Sequence, residues 1–126
     1  MEEGKTILLV DDDLTLREMY EDRLRMEGFT IVQASNGEEA LTKAKDVKPN
    51  IILLDIMMPE INGFDVLRDL KADPELQDIP VIILTALIQE VDRVQGNKLG
   101  AADYIVKSET MPGEVINKIR NVMTKK

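Results

Sequence analysis

Ile51-Ile52-Leu53-Leu54-Asp55 decides the fold: four apolar residues run without a polar break and stop at an acid. A strand with one wet face alternates apolar and polar residues, so an unbroken run of this length belongs in a sheet covered on both faces. Val81-Ile82-Ile83-Leu84 repeats the pattern and also stops at a polar residue, Thr85. Outward from these two, Thr6–Val10, Thr30–Ala34 and Tyr104–Val106 are further strand-length runs. The segments between them change period. Leu16, Met19, Tyr20 and Leu24 recur at helical spacing before Gly28, a C-terminal stop. Asn36-Gly37 leads into Glu38, Glu39, Ala40, Leu41 and Ala44, with acids in the first turn where the helix dipole favours them and Pro49 beyond the end. A third helix is predicted from about Gly63 to Ala72, stopped before Asp73-Pro74, and a fourth from about Gln89 to Leu99. The fifth starts near Pro112 and carries Val115, Ile116, Ile119, Val122 and Met123 on one face. Five strands alternating with five helices through short connections imply a doubly wound α/β domain with a parallel sheet and right-handed crossovers.

The 126 residues suit one domain, read as 1–126, with no internal repeat or linker. Apolar residues make up 44% and charged residues 32%, the balance of a soluble globular chain. No stretch approaches the roughly 20 apolar residues of a membrane helix. The acidic start Met1-Glu2-Glu3-Gly4-Lys5 is unlike a signal peptide, so a cytoplasmic location is expected. There is no cysteine and no histidine, which removes disulfides, thiolate metal sites, imidazole bases and zinc ligands. A net charge of −8 disfavours nonspecific nucleic-acid binding and leaves hard divalent cations and basic partner surfaces as plausible ligands. The seven methionines are read as core and gap filler.

Ligands of open α/β sheets bind outside the carboxyl ends of the strands. Asp11-Asp12-Asp13 follow the first strand, Asp55 the third, Thr85 the fourth and Lys107 the fifth, so all converge on one rim. Clustered carboxylates repel one another unless a cation neutralises them, and an oxygen-only donor set points to Mg²⁺, with Mn²⁺ as an alternative. Asp13 is left out of that set because an acid at this place is a helix N-cap. Lys107 and Thr85 add an ammonium and a hydroxyl suited to phosphate oxygens. A metal, a phosphate and a carboxylate nucleophile together make a phosphoryl-transfer site.

Ile7-Leu8-Leu9-Val10-Asp11-Asp12, Leu53-Leu54-Asp55-Ile56-Met57-Met58-Pro59, Asn62-Gly63, Leu84-Thr85-Ala86, Gly100-Ala101 and Asp103-Tyr104-Ile105-Val106-Lys107 together resemble the receiver domains of two-component response regulators, including the single-domain chemotaxis regulator. The resemblance covers essentially the whole chain and implies a flavodoxin-like sheet of order 2-1-3-4-5. It implies that Asp55 accepts a phosphoryl group from a sensor histidine kinase, a phosphotransfer protein or a small phosphodonor. Asp12 then resembles the direct metal ligand, Asp11 the acid that orients metal-bound water, and Met57 the position whose backbone carbonyl completes the shell. Thr85 and Lys107 resemble the pair that grips the phosphoryl oxygens, and Tyr104 the aromatic switch that turns inward as Thr85 moves. The output would be a changed surface on the fourth helix, fifth strand and fifth helix, read by a downstream effector, in a monomer or a phosphorylation-dependent dimer. Met57 and Leu87 fall where side chains flank the path of attacking water, and both are apolar, which implies a long-lived phosphorylated state.

Two departures stand out. The proline usual after the fifth-strand lysine is replaced by Ser108, which favours a trans Lys107-Ser108 bond because a cis bond without proline costs about 2.5–4 kcal/mol. Gly96-Asn97 interrupts the fourth helix, where Gly costs about 0.8–1.0 kcal/mol relative to Ala, and predicts a loosely held helix. Three other functions compete with a free-standing switch. One is a receiver excised from a longer DNA-binding regulator or hybrid kinase, favoured by Asp92-Arg93 and Asp103 but not by Ala102, where many dimerising receivers carry a second acid. Another is a phosphate-ester hydrolase using Asp55, disfavoured because Met57 stands where a second acid would be needed. The last, a receiver that only binds partners, conflicts with the complete acidic set.

Overall fold

The computed structural model describes residues 5–56, 62–85, 90–107 and 112–124. Along the chain run β1 (Thr6–Val10), α1 (Leu14–Met26), β2 (Thr30–Ala34), α2 (Gly37–Val47), β3 (Ile51–Asp55), α3 (Gly63–Ala72), β4 (Val81–Thr85), α4 (Glu90–Leu99), β5 (Asp103–Val106) and α5 (Pro112–Thr124). All pairings are parallel, in the order β2-β1-β3-β4-β5. The chain therefore crosses from one edge of the sheet back past its own first strand, which places the carboxyl ends of β1 and β3 side by side. Every residue of β3 and β4 is buried, as their unbroken apolar runs require.

Alternation along each strand sends side chains to two cores. Ile7, Leu9, Leu53, Ile82, Leu84 and Ile105 pack toward Leu24 of α1 and Val115, Ile116 and Ile119 of α5. Leu8, Val10, Ile52, Leu54 and Ile83 pack toward Ala40 and Ala44 of α2 and Val66, Leu67 and Leu70 of α3. Each such aliphatic side chain contributes about 1.5–3 kcal/mol by leaving water.

Polar residues set the helix starts. The Asp13 carboxylate accepts from Leu16 N at 3.2 Å, Asn36 from Glu39 N at 2.8 Å and Asn62 from Asp65 N at 3.1 Å, satisfying amides that the helices cannot. Gly28 follows the end of α1 at φ 97°, where a side chain would be strained.

The strand ends differ by one residue from the sequence reading. β3 includes Asp55, paired with Leu84, and β4 includes Thr85, paired with Val106. Sheet hydrogen bonding, and not apolar character, ends a strand, so the polar residues are themselves fixed in the ladder. β5 begins at Asp103, whose partner is Ile82. Met57, Leu87, Gln89 and the Lys107-Ser108 bond lie outside the described residues.

Candidate functional site

At the carboxyl edge, Asp11 continues the direction of β1: its N–H donates to Ala34 O at 3.1 Å, one step beyond the last pair of the β1–β2 ladder. Its side chain is fully buried. Oδ1 accepts from Asp13 N at 2.9 Å, which folds the loop back toward α1. The carbonyl of Asp11 accepts from the Arg17 guanidinium at 2.6 Å, and Arg17 Nε is held by Gln33 Oε1 at 2.9 Å. Arg17 thus fixes the acidic loop from the first turn of α1, using a side chain of the neighbouring strand β2 as its brace.

Asp55, only 3% exposed, projects from the end of β3. Lys107 reaches both acids, with Nζ 2.7 Å from Asp11 Oδ2 and 3.2 Å from Asp55 Oδ2. Burial alone would lower the Lys107 pKa, but the Asp11 contact and the Asp55 and Asp11 charges outweigh it, and the ammonium is held above its ordinary value. Thr85 is fully buried at the end of β4, and its carbonyl accepts from Lys107 N at 2.7 Å. That bond aims the lysine across the rim.

Asp12 is exposed, yet Asp11, Asp12 and Asp55 each place an oxygen within 4.8 Å of the others. The single Lys107 ammonium reaches two of three clustered carboxylates, so the rim keeps an excess of negative charge on an oxygen-only donor set, which fits a hard divalent cation. The expected acids are therefore brought together with Lys107, and Thr85 stands at the adjoining strand end.

Tyr104 meets α4. Its hydroxyl is 2.8 Å from Arg93 O and 2.7 Å from Asn97 Oδ1, both on α4, and the Arg93 guanidinium carbon sits 5.5 Å from the ring centroid. Burial raises the Tyr104 pKa, with Arg93 opposing. Tyr20 of α1, 6% exposed, is also raised by burial, and feels both Lys107 and Asp11.

Three residues were missed as parts of the site. Arg17 gave no signal beyond a charge in a helical first turn. Gly63 appeared as half of a motif, but its role is steric: a Cβ there would lie 2.4 Å from Asp55 O and 2.4 Å from Ile56 Cα, while its N–H donates to Ile56 O at 3.1 Å. The start of α3 presses on the backbone that carries Asp55. Gly96, read only as loosening α4, also has a steric role, since it sits close against Tyr104 and Ile83.

Comparison with known proteins agrees with this fold. The family model for the response regulator receiver domain matches residues 7–120. The chain is 44% identical over 119 residues to a probable transcriptional regulator, ycf27, of Cyanophora paradoxa, covering 94% of this chain and 48% of that protein. It is 42% identical over 120 residues to the phosphate regulon transcriptional regulatory protein PhoB of Pseudomonas aeruginosa, covering 95% and 52%. The chain thus spans about half the length of the curated relatives it matches. Among solved structures, a putative response regulator of Chloroflexus aurantiacus superposes with a TM-score of 0.91 at 31% identity, covering 98% and 100% of the two chains. The chemotaxis protein CheY4 of Vibrio cholerae superposes with a TM-score of 0.89 at 26% identity, covering 94% and 98%.

Proposed function

The chain belongs to the receiver-domain family of two-component response regulators, and from that premise we propose that it is a switch phosphorylated on Asp55. The whole chain works as one receiver domain. The observation that carries the reading is the rim itself: three carboxylates within 4.8 Å, two of them buried and bridged by Lys107.

In the proposed reaction an Asp55 carboxylate oxygen attacks phosphorus in line, forming the acyl phosphate as the bond from phosphorus to its donor breaks. The donor is a phosphohistidine of a sensor kinase or phosphotransfer protein, or a small phosphodonor. Burial keeps water from competing with Asp55. Lys107 offsets part of the charge of the acid pair at rest and is within reach of charge that develops at Asp55, while the Thr85 hydroxyl, at the adjoining strand end, would donate to a phosphoryl oxygen. Asp11, Asp12, Asp55 and the Met57 carbonyl would hold Mg²⁺ or Mn²⁺, which offsets charge on the transferred group. The chain is therefore a phosphoacceptor with weak self-catalysis. It works in the cytoplasm and passes its signal to an effector protein through α4, β5 and α5.

A second reading is that this receiver is part of a longer DNA-binding regulator. The half-length match to named transcriptional regulators favours it, and so does the charged face on which Lys118 pairs with Asp103 at 3.3 Å. Such an assembly would dimerise on phosphorylation, with DNA contacts made by the other domain. Among the described residues no helix is long and apolar enough to cross a membrane.

Intact-mass spectrometry after incubation with acetyl phosphate tests the primary reading. Wild type with Mg²⁺ should gain one phosphoryl group, and Asp55→Asn or wild type in EDTA should gain none. Equal labelling of wild type and Asp55→Asn would remove Asp55 from its proposed role, and labelling undiminished by EDTA would remove the metal.

A further inference from the structure

Gly96 is the one buried position among the described side-chain positions of α4. A Cβ built on it would lie 2.8 Å from the Tyr104 hydroxyl, 3.1 Å from Tyr104 Cε1 and 2.8 Å from Ile83 Cδ1, and real Cβ atoms essentially never approach within 3.0 Å. The two residues that meet the same hydroxyl, Arg93 and Asn97, stand three positions before and one after Gly96. That spacing puts all three on one face of the helix. A phenol has one proton, and Arg93 O can only accept it. The Asn97 Oδ1 is the second acceptor within reach, so the one proton is shared between two oxygens of α4. The Arg93 guanidinium closes the arrangement over the ring.

Glycine is the least suitable residue but proline for a helix interior, so nothing in α4 itself calls for it. The neighbouring ring does. We propose that Arg93, Gly96 and Asn97 form a seat for the Tyr104 phenol that fastens α4 to β5, so that the ring and the helix shift together and the ring does not swing alone. Position 96 then sets how readily α4 responds to the site. The coupling to phosphorylation rests on the phosphoacceptor reading above, whereas the seat is tested in unphosphorylated protein.

The chain has two tyrosines and no tryptophan, so incorporation of 3-fluorotyrosine gives two ¹⁹F signals, assigned with Tyr104→Phe. In Gly96→Ala the Tyr104 signal should move toward that of free fluorotyrosine and gain a solvent isotope shift while the Tyr20 signal stays in place. The thermal midpoint should not rise, although alanine is the better helix former. Asn97→Ala, an exposed change that does not threaten folding, should move the Tyr104 signal in the same direction by less. An unmoved Tyr104 signal in either variant, or a higher midpoint in Gly96→Ala, overturns the seat. Beryllofluoride with Mg²⁺ then tests the coupling: wild type should change its hydrogen exchange along α4, and Gly96→Ala should lose most of that change. An equal response overturns the coupling. No response in wild type overturns the phosphoacceptor reading and the coupling with it, and leaves the seat to the fluorine shifts.

Discussion

Helices α3 and α4 have ten residues each and flank neighbouring strands, but they are fastened in opposite ways. α3 sends Val66, Leu67 and Leu70 into the core and starts on the Asn62 cap. Near its other end Lys71 donates to Gln77 O at 3.1 Å and Ile79 O at 3.2 Å, so the following loop is tied down too. α4 leaves Val94 44% exposed, Leu99 only partly buried, and accepts a side chain from β5 at Gly96. Among the described side chains, α3 is held chiefly by what it inserts and α4 chiefly by what is inserted into it. A helix of the first kind opens only with the core, while one of the second kind can move when a single neighbour moves.

The sharpest test of that contrast is to add one methyl group to each helix. Gly63→Ala should cost about 3 kcal/mol or more, because its Cβ meets backbone atoms of Asp55 and Ile56 that cannot step aside. Gly96→Ala should cost less, since it meets the ends of side chains. Urea unfolding of the two variants decides the order, and equal midpoints would break the comparison.

Truncating the apolar side chains extends it. Leu67→Ala should lose about 2–5 kcal/mol from a fully buried site, whereas Val94→Ala should stay within about 0.5 kcal/mol of wild type. A Val94→Ala loss comparable to that of Leu67→Ala would mean that α4 is anchored after all. The same measurement should show unchanged m-values, as expected where both states keep their compactness.

The smallest effect is a slope with pH, and it separates the lysine of α3 from the lysine of the acid rim. Burial lowers the Lys71 pKa, so the folded state binds fewer protons than the unfolded state between that lowered value and the ordinary value near ~10.4. Stability from this group rises with pH across that interval. Lys107 is raised, so its contribution is complete below ~10.4 and is lost as pH climbs through its folded value. The stability of wild type relative to Lys71→Met should therefore grow with pH up to that range, and the wild-type curve should turn down beyond it. A flat difference between the two proteins would remove burial as the cause.

The sheet was legible because Ile51–Leu54 and Val81–Leu84 leave no polar face, and the acid rim because Asp11, Asp12, Asp55, Thr85 and Lys107 each stand at the end of an apolar run or just past it. The strand order itself came from resemblance, since periodicity says which segments are strands and not which are neighbours. Arg17 and Gly96 were illegible for a related reason. Arg17 acts on a carbonyl six residues away in a bent loop, and Gly96 answers to a ring eight residues later across a turn. Asp13 could be sorted from Asp11 and Asp12 because a cap depends on local spacing alone.

The strand order also has a consequence for how the protein comes to be made. β1 and β3 are neighbours and belong to the first half of the chain, whereas Lys107 arrives only after β5, an edge strand and the last to be made. During synthesis from the N-terminus, Asp11 and Asp55 can meet before any residue of β5 has left the ribosome. An intermediate of that kind holds two facing carboxylates without their ammonium, and must keep them wet, protonated or bound to a cation. Docking of the last strand thus also offsets part of that charge, and the chemistry of the rim and the completion of the sheet arrive in the same step.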